Sequence, residues 1–439
     1  MKRNRILALL LTVVLLLSGC AMRTMDQMYC LPRRSQDHKD LRAQVEHAMS
    51  GLEYCAPLSG ENQQTLQEID LDGDDSPEYL LYAKGGSERP LKILIFDDIA
   101  GSYAHVATVE LNGTSFDLVE YAQMEQGGGV QIVVGCQVSD QPLRSVSVYR
   151  YDGEQVERLL AASYSKFLTV DLDADMLTEL FVLRPGNTET DNGVAELYGM
   201  ENGVMERSNE VNMSRPADML KRIVFGRLND GEAAVYAASS VEDTALITDV
   251  FTCKDSLLVN VSFSNESGTS VKTLRNYYVY ADDIDADGAV ELPALSAMTP
   301  VHPAVTDARY DLIRWYAMKA DGSEVDKLFT YHNFVGGWYM VLDSAWARNV
   351  TVEQTSNEYE FYLWSEDLRR CQKIFTVYVL TGANREDLAA QDGRFLLLKT
   401  DTVTYSGIVH DGAENYGIDR DSVTRGFRLI ENEWKTGET

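Results

Sequence analysis

The sequence predicts an all-β fold made of repeated four-stranded units, and three observations lead there. From about residue 60 the chain is written in short β-rich runs divided by Gly, Asp and Asn. One acidic spacing recurs three times ahead of such runs, and the recurrence fits a period of about 50 residues, the length of a four-stranded propeller blade. The runs are Tyr79-Leu80-Leu81-Tyr82, Ile93-Leu94-Ile95-Phe96, Ile132-Val133-Val134, Val146-Ser147-Val148-Tyr149 and Leu180-Phe181-Val182-Leu183. The expected fold is therefore a β-propeller of about five to seven four-stranded blades, with a short N-terminal helix and a β-rich or α+β C-terminal unit.

The first residues read as an export signal. Lys2, Arg3 and Arg5 form a basic start, and Ile6 to Leu17 form an apolar run too short to span a membrane comfortably. The run ends in Leu17-Ser18-Gly19-Cys20, which resembles the bacterial lipobox. That resemblance implies cleavage after residue 19, diacylation of Cys20, and a membrane-anchored chain facing the extracytoplasmic side. Residues 21–35 lack periodicity and read as a tether, and Leu41, Val45, Met49 and Leu52 fall at helical spacing within 37–52. The expected division is a signal over 1–19, lipidated tether and helix over 20–59, propeller repeats over 60–343 and a C-terminal unit over 344–439.

Charge narrows the possible partners. The chain carries 68 Asp and Glu against 39 Lys and Arg, a formal charge of −29 that becomes about −32 without the signal. Nucleic acid is excluded as a partner, and divalent cations are favoured. Besides Cys20, five cysteines are scattered in no scaffold pattern: Cys30 and Cys55 could staple the N-terminal segment, and Cys136, Cys253 and Cys371 read as isolated buried thiols.

The acidic spacing itself is Asp70-x-Asp72-x-Asp74-x-x-x-Glu78, repeated at Asp171, Asp173, Asp175 and Glu179 and at Asp283, Asp285, Asp287 and Glu291. Alternating carboxylates followed by a glutamate offer hard oxygen ligands to one Ca²⁺; zinc would want His or Cys, which these loops lack. Sliding the loop along the chain finds two degenerate copies. One has Gln123, Glu125, Gly127 and Gln131 ahead of Ile132-Val133-Val134, and the other has Arg227, Asn229 and Gly231 ahead of Val235-Tyr236-Ala237. These two should keep the strand geometry and hold no metal.

Loops of the form D-x-D-x-D-G-x-x-E ahead of an apolar strand resemble the FG-GAP or VCBS repeats of calcium-binding β-propellers, known from integrin α-subunits and many bacterial surface proteins. The resemblance covers about residues 60–343 and implies structural Ca²⁺ in blade loops. Gly288 stands at the sixth loop position, where the turn demands a left-handed backbone; Asp75 tolerates it, and Met176 does so with strain.

After the fifth copy, Gly336 to Leu342 could supply a strand of a sixth blade. Glu358 to Leu363, Lys373 to Leu380, Arg394 to Leu398 and Phe427 to Ile430 read as strands around one helix, Asn384 to Ala390. This tail either completes the ring or forms a separate cap.

No nucleophile elbow, zinc-protease helix or phosphate loop is present, and the six histidines have no ligand spacing. Tyr277, Tyr278, Tyr280, Tyr331, Trp338, Tyr339, Trp346 and Trp364 suit either inter-blade packing or a binding face. The expected function is binding of a protein or polysaccharide partner. An enzyme that degrades polysaccharide, as lyase or hydrolase, and a structural subunit of an envelope complex are the alternatives.

Overall fold

Short apolar runs become strands buried on both faces where a sheet packs between two others, as the third, fourth and fifth sheets do. In the computed structural model, which describes residues 36–430 apart from 128, 139–143, 187, 189–190, 243, 299–310, 365–370 and 392, the chain forms two units. The first comprises the described parts of 1–56 with 64–70 and 75–111. Helix Gln36–Ala48 buries Leu41 and Val45 against Tyr79, Leu81, Leu94 and Phe96 of an antiparallel sheet, the first sheet, whose longer strands are Glu78–Lys84, Leu91–Asp98 and Tyr103–Leu111.

The second unit holds 57–63, 71–74 and 112 onward. Its second, third and fourth sheets are each a four-stranded antiparallel meander in chain order. They run from Ser115–Ala122 to Val156–Tyr164, from Lys166–Val170 to Val204–Asn212, and from Leu220–Arg227 to Leu257–Asn260. Sequential antiparallel pairing is the blade topology the sequence predicts.

The two-residue period of a strand explains why a strand such as Glu179–Arg184, whose sheet packs on both sides, is apolar at successive residues. In Glu179–Arg184, Leu180 and Val182 pack with Val133, Val146 and Val148 of the second sheet, while Phe181 and Leu183 pack with Val235 and Phe251 of the fourth. In Ala233–Val241 the alternation repeats: Val235 and Ala237 face the third sheet, and Tyr236 joins Leu292 and Tyr316 of the fifth. Each such side chain contributes about 1.5–3 kcal/mol on burial.

The fifth and sixth sheets share the largest core, where Tyr331 and Trp338 meet Phe361, Phe375 and Tyr405. Strand Trp338–Leu342 is the fourth of the fifth sheet, and Phe427–Leu429 pairs with it from the far end of the sequence. The sixth sheet follows the order Val350–Thr355, Glu358–Leu363, Gln372–Thr381, Val403–Val409, Phe395–Lys399, so its last hairpin is reversed relative to the other blades. Helix Arg385–Ala389 lies in the connection before that hairpin. Cys20 and Cys30 lie outside the described residues; Cys136 is buried, whereas Cys253 and Cys371 are only half-buried.

No helix among the described residues is long and apolar enough to cross a membrane.

Candidate metal centre

Two acidic loops join a strand to the next strand it pairs with, and the third leads into Glu291–Ala297, the first strand of the fifth sheet. Asp171 follows Lys166–Val170, and Glu179 opens the next strand. Asp70 follows Leu66–Ile69, and Glu78 opens Glu78–Lys84. The third loop is entered through a single bridge, Asp282 to Glu291, before Glu291–Ala297 begins.

The three loops are congruent. At the fifth position the backbone N–H of Asp74, Asp175 and Asp287 donates to Asp72, Asp173 and Asp285, at 3.2 Å each. At the sixth, the N–H of Asp75, Met176 and Gly288 donates to Asp70, Asp171 and Asp283, at 3.1, 3.1 and 3.0 Å. Carboxylates thus fold the loop around themselves, and the backbone turns left-handed twice to allow it. Gly73, Ala174 and Ala286 have φ of 80°, 63° and 61°, and Asp75, Met176 and Gly288 have 69°, 73° and 92°. The fourth position was not singled out in the sequence, although Gly73 signals its demand.

Within the second and third loops the first, third and ninth residues bring one carboxylate oxygen apiece within 4.8 Å of one another: Asp171, Asp173 and Glu179; Asp283, Asp285 and Glu291. The fifth-position aspartates stand outside these groups. Asp175 accepts the N–H of Leu177 at 2.7 Å, and Asp287 accepts that of Ala289 at 2.9 Å. Asp287 also binds the ammonium of Lys327, which holds its carboxyl below the usual carboxylate range. Lys327 arrives from strand Glu324–Asn333, 40 residues away in sequence.

The glutamates carry the strongest electrostatic signature. Glu179 Oε2 accepts the N–H of Leu172 at 2.8 Å, and Glu291 Oε2 accepts that of Ile284 at 3.0 Å. Glu291 is fully buried, and its Oε1 has no hydrogen-bond partner among the described residues; Asp171 Oδ1 is in the same position. Burial, reinforced by the neighbouring aspartates against the backbone N–H, pushes Glu179 up to about 7 and Glu291 up to about 8. A buried carboxylate oxygen left unsatisfied, beside two others, is what a hard divalent cation would satisfy, so the donor set fits Ca²⁺.

The degenerate copies keep the frame without the charge. Gln131 occupies the glutamate position, and its Oε1 accepts the N–H of Met124 at 2.8 Å. In the fourth copy the loop shrinks to a tight turn closed by Leu228 N–H to the Glu232 carbonyl, with Gly231 at φ 92°.

The aromatic residues divide. Tyr331 and Trp338 are core, whereas Tyr339 and Trp346 are half-buried and line a cleft of about 570 Å³ beside the third loop, together with Asp285, Lys327, Arg425 and Arg428. Sequence reasoning missed both arginines, which lie near the C-terminus and enter the cleft from helix Arg420–Gly426 and strand Phe427–Leu429.

Comparison with known proteins adds little. No family model matches the chain, and no curated protein matches it. Among solved structures, an exotype rhamnogalacturonan lyase is 9% identical over 73% of each chain with a TM-score of 0.31. A structural-genomics protein from Lactobacillus plantarum is 10% identical over 72% of this chain and 85% of its own, with a TM-score of 0.25. At these values the fold rests on the chain's own sheets.

Proposed function

We propose that this chain is a lipid-anchored, extracytoplasmic propeller protein that binds a protein or polysaccharide partner and holds structural Ca²⁺ in its acidic loops. The observation that supports the metal is Glu291 Oε1, buried and unsatisfied at the centre of a loop whose hydrogen bonds recur in two other copies. Asp171, Asp173 and Glu179, and Asp283, Asp285 and Glu291, would hold the ion, and by the same spacing so would Asp70, Asp72 and Glu78 in the first loop. Its charge would offset clustered carboxylates that otherwise repel, fixing the loop that leads into each following strand. The anchor would be Cys20, after loss of residues 1–19, and the site facing the partner would lie on the loops.

Extracellular modules of this ligand type bind with dissociation constants of about 10⁻⁴ to 10⁻³ M. Calcium at ten to a hundred times that value stabilises a folded protein by about 1.4–2.7 kcal/mol per site. Chelator should therefore lower the melting temperature of the purified chain by several degrees, and Asp283→Ala with Asp285→Ala should remove one share of that response. A melting temperature indifferent to both overturns the metal assignment.

A further inference from the structure

The cleft beside the third acidic loop brings aromatic, basic and acidic side chains together. Its volume, about 570 Å³, lies in the range of small-molecule sites, about 300–1,000 Å³. Tyr339 and Trp346, both half-buried, give it aromatic walls. Arg425 and Arg428 are exposed on it, in a chain where acids outnumber bases 68 to 39; Arg428 donates to the carbonyl of Phe427 at 2.9 Å, and Arg425 lies within electrostatic reach of Asp419. Lys327 is already held by Asp287. Asp343 uses Oδ1 to cap the N–H of Ala345 at 2.8 Å, and Asp285 belongs to the acidic loop. The two arginines are the exposed cations on the cleft, with guanidinium donors beyond the one that Arg428 gives to Phe427.

We infer that this cleft binds a carboxylate-bearing saccharide, with Arg425 and Arg428 taking the carboxylate and Trp346 and Tyr339 packing on the sugar ring; this rests on the reading that the partner is a polysaccharide. A pyranose has an apolar C–H face and a polar rim, which suits aromatic walls with hydrogen-bonding groups at the edge. Guanidinium groups match a carboxylate through paired N–H donors, and they discriminate it from an ester that offers no charge. Asp343 and the remaining carboxylate oxygens of the rim are acceptors for ring hydroxyls.

The test is calorimetric titration of the full chain, in calcium buffer, with trigalacturonate and with its methyl ester. The acid should bind at least about ten-fold more tightly than the ester, Arg425→Ala with Arg428→Ala should erase that preference, and Trp346→Ala should weaken both forms by about ten-fold. No binding of the acid at about 10 mM, equal affinity for acid and ester, or a preference that survives the double arginine change would each overturn the assignment. Melting temperatures in calcium and in chelator, recorded on the same samples, separate the two claims. A chain stabilised by calcium that takes neither form loses the cleft alone, and a chain indifferent to chelator that still prefers the acid loses only the metal.

Discussion

The third acidic loop and the degenerate copy at 123–131 share one hydrogen bond and differ in charge. In both, a side chain seven residues on accepts the N–H of the second loop residue: Glu291 from Ile284 at 3.0 Å, Gln131 from Met124 at 2.8 Å. The other end of that side chain differs. Gln131 Nε2 donates to Glu125 at 3.2 Å, and Glu125 in turn binds Arg150, which also reaches Glu157 at 2.6 Å. Glu291 Oε1 meets no such donor. The blade turn therefore needs an acceptor at this position and not a charge; Arg150 balances Glu125 from within, whereas beside Glu291 the cation the chain brings is Lys327, which is bound to Asp287.

The largest test of that comparison is Gln131→Glu. The change keeps the acceptor for Met124 but removes the donor to Glu125 and sets two carboxylates together at a site only 1% exposed. Breaking a buried polar network in this way costs about 3 kcal/mol or more. Urea unfolding should show the loss at neutral pH, and a variant as stable as the parent would mean that the amide end of Gln131 contributes nothing.

The reciprocal change, Glu291→Gln, has a smaller and conditional effect. An amide can accept the N–H of Ile284 as Gln131 accepts that of Met124, and burial pushes Glu291 up to about 8, so near neutral pH the calcium-free chain should stay about as stable as the parent. The calcium-induced gain should fall by one site's share, about 1.4–2.7 kcal/mol. Melting scans with and without calcium distinguish these outcomes; a full calcium response in the variant would show that Glu291 is no ligand.

Much of this contrast was legible in sequence, and the limit has a physical reason. The acidic spacing and its period placed all five loops, because local carboxylates and strand alternation leave their pattern in consecutive residues: strands end at Ile69, Ala122, Val170 and Arg227, next to the residues where the copies begin. Helix Gln36–Ala48 and apolar strands such as Glu179–Arg184 were readable for the same reason. What balances each loop was not. Arg150 reaches Glu125 from 25 residues away, Lys327 reaches Asp287 from 40, and Phe427–Leu429 pairs with Trp338–Leu342 across a whole sheet. Such partners are set by which strands the fold makes neighbours, and one sequence carries no periodic trace of them. Gly288 also marked the third loop as the best metal site, whereas Lys327 supplies a cation beside it that the second loop lacks among the described residues.

The finest distinction concerns the sixth loop position, where the second and third loops share a left-handed backbone with different residues. Met176 adopts φ 73° with its side chain 86% exposed, so it packs on little that would compensate the strain; Gly288 adopts 92° with open space where a Cβ would stand. Holding a non-glycine residue there costs about 1–2 kcal/mol, and glycine gives back about 0.5–1 kcal/mol through the entropy of the unfolded chain. Met176→Gly should then stabilise the chain by roughly 0.5–1 kcal/mol, and Gly288→Ala should destabilise it by a similar amount with no steric term. Opposite shifts of one or two degrees in melting temperature are expected, measured in chelator so that metal affinity does not enter. If both variants shift the same way, the Asp171 and Asp283 acceptors, and not the φ of the sixth residue, govern how tightly each loop closes.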